Sequence, residues 1–319
     1  MYIDIALIII GSLIAFVLLF SFAVFMLVFY TSARKPRIDG VYPVPKGKVY
    51  EPYYEKMREW ARLSREIPHK NVSIKSYDGL TLRGRYYHFY DDAPIELMLH
   101  GYRGDSERDL SGGIFRAKRI GHNVLLVDQR ACGESDGHVV TFGIRERYDC
   151  ARWVDFIINE IDSNARIILT GVSMGAATVL MASGGELPSN VIGVLADCGY
   201  SSPKLIICDV LHKIHLPSAI FYPFIALGAR IFGGFNLKEF SPIEAAARTN
   251  LPIIFFHGDV DAFVPCRMSI DNYNACASER KRLVVIKGAG HGLCYVANEE
   301  EYVKELKDFF DLVKETTNE

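Results

Sequence analysis

Apolar and polar positions alternate along this chain in two rhythms, but only after an opening run with no rhythm at all. Residues Ile5 to Tyr30 carry no charge and are dominated by Ile, Leu, Phe and Val. About 20 apolar residues span a bilayer, so this run is long enough to cross one with some tilt. A cleaved signal peptide is the rival reading. It would need a positive n-region and a shorter apolar core, and only Asp4 is charged before the run. A buried globular helix would instead be amphipathic and capped. The run is therefore expected to be a single anchoring helix.

Residues 36–70 read as a linker rich in Pro, Lys and Tyr, becoming helical around Tyr53 to Ser64. Val72 to Tyr77 and Leu80 to Tyr90 predict a hairpin around Asp78-Gly79, a favoured turn pair. Beyond it, short apolar runs alternate with helical spacing. Pro94–Leu99, Val124–Asp128, Ala165–Thr170, Val191–Ala196, Leu251–Phe256 and Arg282–Lys287 read as buried strands. Ile144–Ile161 and Glu299–Val313 carry apolar residues at helical spacing. Strand and helix in alternation predict an α/β fold, with a mostly parallel sheet covered on both faces. The expected organisation is an anchor over 1–35, a linker over 36–70 and a catalytic domain over 71–319.

Half of the 319 residues are hydrophobic and 23% are charged, which suits one sizeable core plus a membrane segment. A net charge of −2 gives no reason to expect a nucleic-acid partner. Arg34, Lys35 and Arg37 follow the apolar run and no Lys or Arg precedes it. By the positive-inside rule, the domain lies on the cytoplasmic side of a single-pass anchor. The cysteines agree with that. There are seven, spread out and without a C-x-x-C pair, as expected for reduced thiols and not for a zinc site or disulfide framework. The lone sequon Asn71-Val-Ser73 is read as chance.

The candidate chemistry centres on Gly171-Val-Ser173-Met-Gly175, between a predicted strand and the small, apolar helix Ala176–Ala182. A strand turning sharply into a helix strains the backbone, and side chains flanking the turn would collide, so glycine is needed on both sides. The strain holds the Ser173 hydroxyl clear of the sheet, beside free N–H groups of the helix. A glycine-bracketed turn whose serine merely caps the helix is the alternative, and partner residues decide between them. A serine nucleophile needs an imidazole to take its proton, and the imidazole needs a carboxylate to fix its tautomer. His257-Gly-Asp259-Val-Asp261-Ala-Phe-Val-Pro265 follows one predicted strand, and Gly288-Ala-Gly-His291-Gly292 follows another. These sites lie beyond the C-terminal ends of strands, where ligands bind in open α/β sheets.

Over roughly residues 70 to 315 the chain thus resembles the α/β-hydrolases of the serine esterase, lipase and peptidase type. The resemblance rests on the elbow, on H-G-x-x-D-x-x-V-P and on G-x-x-H, in the chain order Ser, Asp, His. It implies an eight-stranded, mostly parallel sheet. Ser173 would be the nucleophile, Asp261 the acid and His291 the base, with Asp259 the second candidate acid and Asp197 a distant third. The strand to Leu99 leads into His100-Gly101-Tyr102-Arg103-Gly104, and the resemblance points to the backbone N–H groups of Tyr102 and Met174 as an oxyanion hole. His100 is expected to orient that loop, and Arg103 is either a solvated charge or a substrate contact. Asp128-Gln-Arg130-Ala131-Cys-Gly133-Glu-Ser135 matches the family's D-x-R-G-x-G-x-S turn except at Ala131, which puts the local turn geometry in doubt.

An insertion at about 199–250 holds Leu205–Leu211 and Ile220–Leu227, rich in bulky apolar groups. In this family that position often carries a cap over the site; ordinary core helices are the alternative. As a cap, it would offer Phe221, Tyr222, Phe224 and Ile225 to a greasy acyl chain or an aromatic acid. His212 and His215 are expected to face solvent. The resemblance thus implies hydrolysis of a small-molecule carboxylic ester through an acyl-enzyme, with no metal and no cofactor. A peptidase, thioesterase or acyltransferase remains open on the same triad, and a binding protein that kept the fold is the non-enzymatic alternative.

Overall fold

The turn at Asp78-Gly79 sets the first register of the sheet. Gly79 takes φ +91°, and β1 (Lys70–Lys75) runs antiparallel to β2 (Thr81–Tyr87), with Lys70 opposite Tyr86 and Lys75 opposite Thr81. A computed structural model describes residues 1–32 and 37–315 of the chain. Arg34 and Lys35, two of the three basic residues that set the expected orientation, lie outside the described residues. Among the described residues eight strands form one sheet in the order β1-β2-β4-β3-β5-β6-β7-β8. The remaining strands are β3 (Ile95–Leu99), β4 (Asn123–Asp128), β5 (Ile167–Val172), β6 (Val191–Asp197), β7 (Ile253–Gly258) and β8 (Lys281–Ile286). β2 pairs antiparallel with β4, and every later pairing is parallel. The strand ends fall within a few residues of those read from apolar runs.

β3, β4 and β7 are buried at every position, because helices cover both faces of the sheet. These are α2 (Tyr54–Glu66), α3 (Ser106–Arg119), α4 (Glu146–Phe156), α5 (Met174–Ser183), α9 (Arg267–Ala275) and α11 (Glu299–Glu315). The short α10 (Cys294–Ala297) precedes the last of them. The helix expected over 144–161 is α4 followed by one π turn at Ile157–Ile161. Trp153, Phe255 and Phe256 are almost completely buried, each contributing about 1.5–3 kcal/mol of transfer free energy. β3 sits between β4 and β5, so the connections leaving it and β5 diverge and open a crevice at their C-terminal ends. That crevice receives the site.

The insertion folds as α6 (Pro203–Lys213), α7 (Ser218–Ile231) and the short α8 (Pro242–Ala246). His212 and His215 are exposed, as expected. α1 (Tyr2–Val28) is exposed along its first fifteen residues, yet its last turns pack into the insertion. Ser21, Phe25 and Phe29 fall at i, i+4 and i+8, one helix face, and are buried. Phe20 meets the ring of Phe224 at 4.9 Å, and Phe29 meets Phe142 at 5.7 Å and Phe235 at 5.2 Å. Phe29 and Thr31 are then hydrogen-bonded to residues 138–140.

The segment expected as a linker is also built into the fold. Within it, Arg65 of α2 binds both carboxylate oxygens of the buried Glu107 on α3, at 2.7 and 2.9 Å. Arg37 reaches Glu134 at 2.9 Å.

Candidate active site

Ser173 is the single residue between β5 and α5, and its backbone carries the turn at φ 58° and ψ −116°. A non-glycine residue held there stores on the order of 1–3 kcal/mol of strain. The flanking glycines are needed for close approach. A Cβ on Gly171 would lie 2.2 Å from the carbonyl carbon of Gly175, and one on Gly175 would lie 2.0 Å from the carbonyl oxygen of Leu99. The elbow is thus pressed against the end of β3, where the next loop begins.

His291, on the loop after β8, stands with Nε2 2.9 Å from Ser173 Oγ and Nδ1 2.7 Å from Asp261 Oδ2. Asp261 follows β7, and its other oxygen accepts the N–H groups of Phe263 (2.8 Å) and Val264 (2.9 Å). Burial alone would raise this carboxyl, but the hydrogen bonds from His257 and His291 and the nearby His291 charge hold it well below the ordinary carboxylate range. An ionised Asp261 can only accept, so Nδ1 of His291 donates to it. Nε2 is left with its lone pair facing the serine hydroxyl.

The other candidate acids are elsewhere. Asp259 accepts the N–H of Gly288 at 2.6 Å and holds that turn. Asp197 accepts the Tyr302 hydroxyl at 3.1 Å, and burial pushes its carboxyl up, favouring the neutral form.

One neighbour of the acid was not singled out from the sequence. His257, wholly buried at the end of β7, has Nε2 3.3 Å from Asp261 Oδ2 and donates to the Val264 carbonyl at 2.9 Å. Its motif position beside a strand end gave no signal of a role distinct from scaffold. Cys198, Asp261 and His291 also bring three ligand-type atoms within 4.8 Å of one another. A metal there would need a thiolate, whereas burial pushes the Cys198 thiol well above its ordinary value. Ligation through either ring nitrogen of His291 would also displace the hydrogen bond that nitrogen makes. The donor set fits proton transfer better than ligation.

The loop after β3 supplies the opposite wall. A Cβ on Gly101 would lie 3.5 Å from Ser173 Cβ, so this loop runs close beside the elbow. Neither the N–H of Tyr102 nor that of Met174 finds an acceptor among the described residues, and Met174 opens α5, where the helix dipole favours negative charge. His100 orients the loop. Its Nδ1 lies 2.7 Å from the carbonyl of Gly101, and Nε2 accepts the N–H of Gln129 at 3.0 Å. Arg103 has a role the sequence did not suggest. It donates to the carbonyls of Leu27 (2.8 Å) and Tyr30 (2.7 Å), at the end of α1.

The departure at Ala131 leaves the turn after β4 in place at a local cost. Ala131 takes φ +62°, the left-handed conformation a glycine adopts freely. Arg130 in that turn binds Asp149 and Asp78, and Asp128 accepts the N–H groups of Ser106 and Glu134.

Ser173 lies between two cavities. One, of about 490 Å³, passes His291 and is lined by Lys46, Tyr50, Arg108 and Asp109. The other, of about 520 Å³, is apolar and runs under the insertion. Of the four pocket residues expected there, Phe221 and Ile225 line it. Tyr222 and Phe224 do not; one helical step turns Tyr222 into the cap interior and Phe224 onto Phe20 of α1. The opposite wall consists of residues not singled out at all: Phe20, Ala23, Val24, Leu27 and Val28 of α1.

A sequence profile of the alpha/beta hydrolase family matches residues 97–305, well over half of the 319-residue chain. Among curated relatives, the uncharacterized protein YqkD of Bacillus subtilis is 26% identical over 203 residues, 62% of this chain and 65% of its own length. The chain therefore spans just under two thirds of that relative. The uncharacterized protein Rv2307c of Mycobacterium tuberculosis is 26% identical over 226 residues, 70% of this chain and 72% of its own. Among solved structures, the esterase Pf2001 of Pyrococcus furiosus superposes with a TM-score of 0.63 at 20% identity, covering 88% of this chain and 98% of that one. Est1E of Butyrivibrio proteoclasticus, solved with ferulic acid bound, gives 0.56 at 18% identity, covering 75% and 97%. Identities this low carry the fold and nothing finer. Taken with the profile match and the eight-stranded sheet, they lead to one statement of kinship: the chain belongs to the alpha/beta hydrolase family.

Proposed function

We propose that this protein is a membrane-anchored serine hydrolase that cleaves carboxylic esters. Family membership supports hydrolase activity. The observation that carries the finer reading is the unbroken hydrogen-bonded path from Asp261 through His291 to Ser173. Ser173 Oγ attacks the ester carbonyl while His291 Nε2 takes its proton, and ionised Asp261 stabilises the imidazolium. The N–H groups of Tyr102 and Met174 receive the oxyanion, where each such donor contributes about 3 kcal/mol. The tetrahedral intermediate expels the alkoxide, protonated by His291, and leaves an acyl group on Ser173. Water, deprotonated by the same imidazole, then attacks that acyl group and frees the acid and the serine.

The test is labelling by a fluorophosphonate probe together with turnover of an activated butyrate ester. Wild type should react in both assays and Ser173→Ala in neither. Retention of more than about a hundredth of kcat in that variant would remove Ser173 as nucleophile, because triad losses run to several orders of magnitude.

α1 is proposed as the anchor, with the domain on the cytoplasmic side. Protease added to intact cells should then spare the domain, and carbonate washing should leave it on membranes. Digestion from outside would reverse the orientation, and loss of the first thirty residues from the mature protein would make the segment a signal peptide.

A further inference from the structure

Resting on the ester-hydrolase reading of Ser173, we propose that the substrate is a bilayer-resident long-chain ester whose acyl chain enters from the membrane along α1, the anchor helix itself forming one wall of the acyl site.

The lining of the apolar cavity is the first support. Apart from Ser173, its only side-chain polar atoms are the hydroxyls of Tyr102 and Tyr200 and the Met174 sulfur. Both hydroxyls are already engaged, with the carbonyls of Val28 (2.5 Å) and Phe142 (3.0 Å). Away from Ser173 and the two backbone N–H groups beside it, no side chain there is free to bind a polar group, so an apolar chain is the fitting occupant.

The position of the mouth is the second. Leu27 and Ile214 both line the cavity and are 72% and 58% exposed, so it opens between the last turn of α1 and the loop joining α6 to α7. The 27 residues of α1 span about 40 Å at 1.5 Å per residue, close to a bilayer with its headgroup layers. A spanning α1 therefore places Leu27 at the headgroup level, within reach of acyl chains and not out in bulk water.

The surroundings of α1 are the third. Ile220, Ile231 and Phe232 of the insertion are 58%, 49% and 38% exposed, and Phe232 packs beside Phe22 of α1 at 5.1 Å. Apolar groups clustered at the foot of a spanning helix are suited to the acyl boundary. The cavity on the far side of Ser173, the one of the two that carries charged side chains (Lys46, Arg108 and Asp109), is then left for the alcohol portion of the ester.

The full-length protein would be reconstituted in vesicles of dialkyl ether phosphatidylcholine, which offers no competing ester. The probe is a fluorogenic oleoyl ester with a second long alkyl chain, so that it does not exchange between vesicles. It is placed either in the enzyme's own vesicles or in separate ones. Hydrolysis is expected in the shared vesicles and not across separate ones. In parallel, Val24→Trp should lower the ratio of laurate to acetate kcat/KM by about tenfold, roughly two methylenes of lost burial, while Leu13→Trp on the exposed stretch of α1 should leave that ratio unchanged.

Equal rates in shared and separate vesicles, or no lipid hydrolysis by a protein that turns over p-nitrophenyl acetate, would overturn the lateral route and leave the esterase reading standing. An unchanged ratio in Val24→Trp would overturn α1 as the wall. Failure of wild type to react with both acetate ester and fluorophosphonate would sink the esterase reading first, and the inference with it.

Discussion

The hydroxyl of Tyr102 donates to the carbonyl oxygen of Val28 at 2.5 Å, tying the loop beside Ser173 to the last turn of the N-terminal helix. Arg103, the next residue, grips the carbonyls of Leu27 and Tyr30. These carbonyls would otherwise go unpaired at the helix end, and a cation there also suits the helix dipole. The same two side chains therefore finish α1 and fix the backbone proposed to hold the oxyanion.

Tyr102→Phe keeps that backbone N–H and removes only the tether. One neutral hydrogen bond contributes about 1 kcal/mol, so kcat for an activated ester should fall roughly three- to tenfold. Binding of the short substrate should be little changed. Steady-state kinetics on acetate and butyrate esters checks this, and a wild-type kcat would mean the loop is held without the tether.

Asp261→Asn should cost on the order of 10⁴ in kcat, because an amide facing Nδ1 favours the wrong imidazole tautomer. Asp259→Asn should cost far less. Its carboxylate holds the N–H of Gly288, three residues before His291, so the effect is a loosened turn. Comparing kcat of the two variants decides the acid, and a larger loss at Asp259 would overturn the assignment.

The residues proposed to react were legible in the sequence because each sits in a short motif immediately past a strand, and strand ends are where an open sheet exposes side chains. Ser173, Asp261 and His291 could be named without knowing how far their loops reach back. The role of α1 was hidden for the opposite reason. A helix apolar on every side has no periodicity to mark which face is covered by protein, so Val24 and Leu27 look like any lipid-facing residue. The same limit applies to α7, where neighbouring bulky residues part company. Phe221 faces the cavity and Phe224 faces α1, a distinction that only the position of α1 decides. Arg103 carried no motif, since backbone carbonyls at a helix end leave no trace in the sequence of their partner.

Acid stability should depend on Glu96, on the buried β3. Arg116 at 2.5 Å, His122 at 2.9 Å and the Thr170 hydroxyl at 2.9 Å surround its carboxylate. Burial alone would raise its pKa, but the Arg116 charge and the His122 contacts lower it from 4.5 to about 2. A depressed folded pKa stabilises fully above the unfolded value and is lost as pH falls toward the folded one. The stability gap between wild type and Glu96→Gln should therefore be widest above about pH 5 and shrink to less than half by about pH 3. Urea midpoints across that range test it. A gap that stays constant would mean the carboxylate charge contributes nothing.

Two glycines in apolar helices should respond oppositely to the same substitution. Gly228 of α7 faces α1 so closely that a Cβ would lie 2.5 Å from the carbonyl oxygen of Ser21 and 3.1 Å from Phe25 Cβ. Gly11, in the exposed part of α1, would meet nothing within 4 Å. Gly→Ala in a helix interior gains up to about 1 kcal/mol of propensity at either site. At Gly228 that gain is outweighed, because backbone cannot yield as a flexible side chain does and overpacking costs typically 1–3 kcal/mol. Gly228→Ala should therefore lower the Tm of the detergent-solubilised protein by a few degrees and weaken the preference for long acyl esters as α7 moves away from α1. Gly11→Ala should leave both as they are or raise Tm slightly. Equal Tm values for the two variants would show that the last turns of α1 do not pack against the insertion in solution, and the acyl wall would then have to come from the insertion alone.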